Sequence, residues 1–135
     1  MTTNNANRDA YRRTQVLTAN RETILLMLYE GGLRFLKGAA EAAKRRDLPE
    51  KARLVGRAQD IVNELRATLN FDASPELAVE LDRLYDFVTQ KLTQAVSQQT
   101  SEPIVEATKI LETLHRGWAE AIAGLRTQPA PNELK

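Results

Sequence analysis

The sequence predicts an all-α protein: an antiparallel up-down four-helix bundle with a short N-terminal segment docked on it. Three observations carry that prediction. Apolar residues recur at spacings of three and four through four long stretches. The prolines Pro49, Pro75, Pro103 and Pro129 stand at the breaks between or after those stretches. No stretch alternates as a strand does, and no internal repeat appears. Connections as short as these make neighbouring helices antiparallel.

Residues 1 to about 9 are rich in Asn and Thr and have nothing to bury, so they are expected to be disordered. The next segment, Ala10 to Leu17, carries three apolar anchors, Tyr11, Val16 and Leu17. It is either a loose tail or a latch docked on the bundle, and the residues leave both open. Residues 1–19 are thus set apart from a bundle spanning 20–127, and 128–135 form a flexible tail.

The first helix is predicted at about 20–46, with Asn20 as N-cap and Glu22 in the first turn. It carries two apolar stripes rather than one. The first is Ile24, Leu25, Leu28, Gly32, Phe35, Ala39 and Ala42; the second is Leu26, Tyr29, Leu33, Leu36 and Ala40. One stripe joins a bundle. The second needs another cover: either helix 1 is wedged deeply between its neighbours, or it forms a groove for a partner segment. Gly31 and Gly32 lie mid-helix at about 1 kcal/mol each relative to Ala, a cost that a close backbone crossing or a partner would justify. The helix stops at Asp47-Leu48-Pro49.

Helix 2, about 50–69, buries Leu54, Ala58, Ile61, Val62, Leu65 and Leu69. Asn70 to Ala73 breaks it. Ser74 and Pro75 then supply the N-cap and first-turn proline of helix 3, about 75–97, with Leu77, Leu81, Leu84, Tyr85, Val88, Leu92 and Ala95 inward. Helix 4, about 103–127, opens at Pro103 and turns in Ala107, Leu111, Leu114, Trp118, Ala121, Ile122 and Leu125. Val55, Val79, Phe87, Val105 and Ile110 fall off these stripes.

Composition narrows the function. A chain of 135 residues holds one domain with a real core. Lys and Arg number 19 against 18 Asp and Glu, so no bulk field draws it to nucleic acid or anionic lipid. The charge is uneven: Lys37 to Arg57 holds seven basic and three acidic residues, Ala58 to Gln90 two basic and seven acidic. Cysteine is absent, which excludes disulfides and thiolate chemistry. With no apolar run of membrane-spanning length and no secretory h-region, a soluble cytoplasmic protein without membrane insertion is expected.

His115 is the one histidine. Glu112-Thr113-Leu114-His115 has the Glu-x-x-His spacing of di-iron bundles, but such a site needs two of these motifs plus two more inward carboxylates. A phosphorelay histidine must be exposed, whereas His115 falls on the edge of the Leu111/Trp118 stripe; a boundary histidine satisfied by a neighbour is the better reading. No nucleophile elbow or glycine-rich phosphate loop occurs. No metal, cofactor or enzyme activity is expected.

Several blocks together resemble the flagellar secretion chaperone family FliS. They are Ala10-Tyr11, Leu28-Tyr29-Glu30-Gly31, Leu33-Arg34-Phe35-Leu36, Arg57 to Leu65, Thr68-Leu69-Asn70, Leu84-Tyr85-Asp86-Phe87 and Trp118. They run in family order over about 10–122. The sequence departs where the family opens helix 1 with Ser-Pro-Glu, here Asn20-Arg21-Glu22, which loses the proline. It departs again where a Gly-Gly turn commonly precedes helix 3, here Asp72 to Pro75.

The resemblance implies a non-enzymatic export chaperone that binds the disordered C-terminal segment of flagellin, blocks premature polymerisation and presents the subunit to the flagellar type III export apparatus. Further contacts with the export gate, an anti-sigma factor or a co-chaperone are also within the family's range. Carried over by position, Tyr11 would be the latch aromatic. The expected partner-binding residues are Tyr11, Val16, Leu17, Leu26, Tyr29, Leu33, Leu36, Ile61, Leu65, Tyr85 and Phe87. The rival readings are a four-helix adaptor or regulator with another client and a histidine phosphotransfer domain.

Overall fold

Nothing between Thr3 and Glu30 stops a helix: that stretch has no proline or glycine. In the structure, a computed structural model, α1 accordingly runs Thr3–Lys44. Residues 3–127 are described, and the side chains of 3–5, 11, 14–19, 126 and 127 lie outside the description. The first helix therefore does not begin at Asn20. With Arg21 where a proline would interrupt the ladder, the Asn20 cap competes with a helix already formed and loses. The segment expected as a disordered tail and latch continues α1, and the side chains of residues 6–10, 12 and 13 are exposed.

The far end of α1 stops by a Schellman arrangement. The Arg46 N–H bonds the Ala43 carbonyl at 3.1 Å and the Asp47 N–H bonds the Ala42 carbonyl at 2.9 Å. Arg46 takes the left-handed position with φ 59°. Asp47 then caps α2 (Leu48–Ala67), its carboxylate accepting from the Glu50 N–H at 3.2 Å. Helix α3 is Pro75–Ser97 and α4 is Glu102–Thr127. At the start of α3, Ser74 holds the cap position without a side-chain cap bond. Asn70 instead organises the turn, its amide oxygen accepting from the Asp72 and Ala73 N–H groups at 3.1 and 3.0 Å.

The helices form a ring in chain order, α4 closing on α1. Cross-helix pairs fix the antiparallel sense. Along α2/α3, Arg66 meets Asp82 at 3.1 Å, Gln59 meets Thr89 at 3.0 Å and Lys51 meets Gln98 at 2.9 Å. Lys91 meets Glu106 at 2.7 Å across α3/α4, and Trp118 and His115 reach Tyr29 and Glu30 across α4/α1. Where α1 crosses α2, a Cβ on Gly32 would lie 3.3 Å from Ile61 Cγ2, and one on Gly38 would lie 3.0 Å from Leu54 Cδ1. The close crossing expected at the glycine pair is there. Gly32 and the unremarked Gly38 make it, while a Cβ on Gly31 meets only ordinary contacts at 3.8 Å.

The core is built around Tyr29, Leu36, Val55, Val62, Leu65, Tyr85, Val88, Leu92, Ile104 and Leu111. Val55, read from the sequence as off-stripe, is buried, because helix α2 turns a broader arc inward than a single row of positions. Ala78 is buried on α3, while Leu77 stays half exposed and Leu84 is partly buried. On α4, Ala121 and Leu125 are exposed, lying near the end of the helix where less of the bundle remains to cover them. Among the described residues no helix is long and apolar enough to cross a membrane.

Candidate functional site

At the end of the bundle where α2 gives way to α3, the apolar stripes outrun their cover. Helix α2 ends at Ala67 and the chain turns through Asn70 to Ser74, whereas α1 continues past the bundle. The gap is an apolar groove of about 630 Å³. One wall is Ile24, Leu25 and Leu28 of α1, and the other is Leu77, Ala78, Leu81 and Tyr85 of α3. Leu69 and Ala73 close it on the loop side and Trp118 of α4 lines it too, with Arg21, Glu22, Asn70 and Ser74 at its edge. Ile24 and Leu77 keep 56% and 50% of their surface in water. Neighbouring apolar side chains left this open on two facing helices form a surface that another chain would cover with profit, at about 25 cal/mol per Å².

Beneath the groove three aromatic side chains from three helices share hydrogen bonds. The Trp118 indole N–H donates to the Tyr29 hydroxyl at 3.2 Å, and the Tyr29 and Tyr85 hydroxyls are hydrogen-bonded to each other. Burial pushes both phenols above the ordinary tyrosine range. For Tyr85 the bond with Tyr29 adds to the rise; for Tyr29 its bonds with Tyr85 and Trp118 partly oppose it. Among the described residues no buried side-chain nitrogen or oxygen lacks a partner.

The expected partner-binding residues divide. Tyr29, Leu36, Leu65 and Tyr85 are core residues at 1% exposure or less. The middle of the second stripe of α1 is therefore bundle interior in this conformation, and helix 1 is wedged deeply. Leu33 and Ile61 are half-buried against the same core, Ile61 directly over Gly32. Leu26 is half-buried near the open end of α1. Phe87 is exposed on α3, its ring 5.1 Å from the Lys91 ammonium. The side chains of Tyr11, Val16 and Leu17 fall outside the described residues. Of those whose side chains are described, Tyr85 alone lines the groove.

The sequence reading passed over Ile24, Leu25, Leu28, Leu69, Leu77, Leu81 and Trp118 because each fits a bundle-facing stripe. The signal that would have found them is positional. Ile24 and Leu77 lie where two stripes approach the Asn70–Ser74 break, so that end of those stripes has no α2 to meet.

His115 is a partly buried boundary residue. Its Nε2 lies 3.5 Å from a Glu30 carboxylate oxygen and its ring is tilted against Tyr29, with centroids 6.3 Å apart. Among the described residues no group of three or more His, Asp or Glu is placed to hold a metal ion.

Comparison with known proteins agrees with the resemblance. The family model described as flagellar protein FliS matches residues 3–125. The chain is 35% identical over 104 residues to flagellar secretion chaperone FliSB of Pseudomonas aeruginosa, covering 77% of this chain and 82% of that protein. It is 32% identical over 117 residues to flagellar secretion chaperone FliS of Bacillus subtilis, covering 87% and 86%. With its counterpart in Campylobacter jejuni it shares 31% identity over 117 residues, covering 87% and 91%.

Proposed function

This chain belongs to the FliS family of flagellar proteins, and from that premise we propose that it is a cytoplasmic chaperone for flagellin. It binds the subunit's disordered C-terminal segment, prevents premature polymerisation and hands the subunit to the flagellar type III export apparatus. The observation that supports this most directly is the end groove, whose facing walls carry the half-exposed Ile24 and Leu77. An amphipathic segment lays its apolar side chains between such walls and so removes them from water on both partners. Such masking is an equilibrium and calls for no chemistry on the client.

In this reading the groove is the primary contact. Leu26, Leu33, Ile61 and Phe87 would extend the client surface, and Tyr11, Val16 and Leu17 on the early part of α1 would act as client contacts or as the latch. Ordering the client costs on the order of 2–5 kcal/mol, which a long apolar contact must exceed.

The test is calorimetric titration with a synthetic peptide of about the last 40 residues of the same organism's flagellin, with peptide helicity followed in parallel. One-to-one binding with a large negative heat-capacity change and a gain of helix is expected. Leu77→Asp, which sets a charge on an already exposed groove wall, should weaken that binding about tenfold or more while the bundle stays folded. Absence of binding at micromolar peptide would sink this reading and make the bundle an adaptor with another client.

A further inference from the structure

We propose that Tyr29 is a positioning residue for the groove: its buried hydroxyl fixes the two groove-lining rings, Trp118 and Tyr85, in the orientation that receives an occupant. The inference rests on the end groove being the client site. Tyr29 is fully buried and does not line the groove, while Trp118 and Tyr85 both do. Its oxygen is the meeting point of the other two. The indole N–H of Trp118 on α4 donates to it at 3.2 Å, and the hydroxyl of Tyr85 on α3 is hydrogen-bonded to it. One atom of α1 thus ties together side chains of the two helices that form the groove's far wall and its floor.

A core needs no hydroxyl at this place. Phe or Leu would fill it, and burying a polar group is unfavourable unless its bonds are made. What the hydroxyl adds is direction. Trp118 is only half-buried and sits on α4 about two and a half turns before the helix end, so packing alone holds it on one side. Without an acceptor at Tyr29, its indole N–H turns to find water and the ring turns with it. Chains of hydrogen bonds in a low-dielectric interior reinforce one another, so the loss is felt at Tyr85 as well. The groove floor is thereby set before the client arrives, and preorganisation of this kind lowers what ordering costs on binding.

The experiment uses the full chain, wild type and Tyr29→Phe, with Tyr85→Phe as a second variant and Val62→Ala as a control. Val62 is buried in the core on α2, does not line the groove and has no polar side-chain atom to join the hydrogen bonds of the aromatic trio. Trp118 is the sole tryptophan, so emission and acrylamide quenching report its surroundings alone. Affinity is read with the flagellin C-terminal peptide. Expected for Tyr29→Phe are retained helicity, a red-shifted and more quenchable Trp118, and a Kd raised about tenfold, the worth of about one hydrogen bond. Tyr85→Phe should move in the same direction, and Val62→Ala should lower stability with an unchanged Kd. Trp118 emission and quenching that match wild type in Tyr29→Phe overturn the proposal. So does a Kd that tracks stability equally in all three variants, since that is a merely structural effect. Failure of the wild-type protein to bind the peptide counts against the chaperone reading, and the Trp118 readout alone then decides the positioning role.

Discussion

The Lys51 ammonium lies 2.9 Å from the main-chain carbonyl oxygen of Gln98 and is 3% exposed. Gln98 is the C-cap of α3, so a cation from α2 meets the negative end of its neighbour's dipole and takes one of its orphan carbonyls. Lys51→Met keeps most of the volume and removes the donor. It should cost about 1–2 kcal/mol, read as a fall of several degrees in the thermal midpoint. An unchanged midpoint would show that water replaces the ammonium without loss.

Arg46 holds the left-handed position that ends α1, with φ 59°. A side chain there costs about 1–2 kcal/mol relative to glycine's freedom, partly returned by the larger backbone entropy glycine loses on folding. Arg46→Gly should therefore stabilise the protein by about 0.5–1 kcal/mol, while Arg46→Ala should change it little. Denaturant midpoints measure both. A destabilised Arg46→Gly would mean that the arginine side chain makes a contribution larger than its backbone strain.

The two adjacent glycines of α1 should answer differently to the same substitution. At Gly31 a new methyl meets ordinary contacts at 3.8 Å, so Gly31→Ala gains helix propensity of roughly 0.5–1 kcal/mol. At Gly32 it would press at 3.3 Å on Ile61 Cγ2, part of a branched side chain with little rotamer freedom. Gly31→Ala should exceed Gly32→Ala in stability by about 1 kcal/mol or more, measured by urea unfolding. Equal effects would mean that α1 and α2 separate freely enough to admit the methyl.

Burial raises the pKa of both Tyr29 and Tyr85 above the free value of 10.0. Each phenol is neutral in the fold and ionises more easily once unfolded. Their contribution to stability is thus fully present below about pH 10 and is lost as pH rises beyond it. The urea midpoint should hold up to that pH and then fall. Tyr29→Phe with Tyr85→Phe should flatten the fall while lowering the plateau. An alkaline profile unaltered by the double substitution would place its cause elsewhere.

How much of this was legible in the sequence depends on what each feature needs. The breaks at Pro49, Pro75 and Pro103 are local chemistry, and the helices follow from them. The start of α1 was misread because Asn20 is a good cap only where the chain arrives non-helical, and nothing upstream of it prevents a helix. Periodicity shows which positions are apolar, and it correctly grouped Tyr29 with Leu36. It says nothing about how many neighbours a helix has, so a face covered by both α2 and α4 looks the same as a face left for a partner. The groove was missed for the complementary reason. Ile24 and Leu77 obey the rule for buried positions, and only the three-dimensional mismatch between the long α1 and the shorter α2 leaves them open.

The bond between Trp118 and Tyr29 spans 89 residues of chain, which has a consequence for the order of events on the ribosome. At about 5–20 residues per second, α1 leaves the tunnel several seconds before the helix that supplies its last partner. Through that interval the nascent chain has the near wall of the groove and no Trp118 within it, and the α1 face that α4 will cover is bare. In the proposed chaperone role, client binding would therefore await α4 and its Trp118. A truncation before Trp118 should accordingly leave the α1 face bare, a sticky fragment in place of a weak binder.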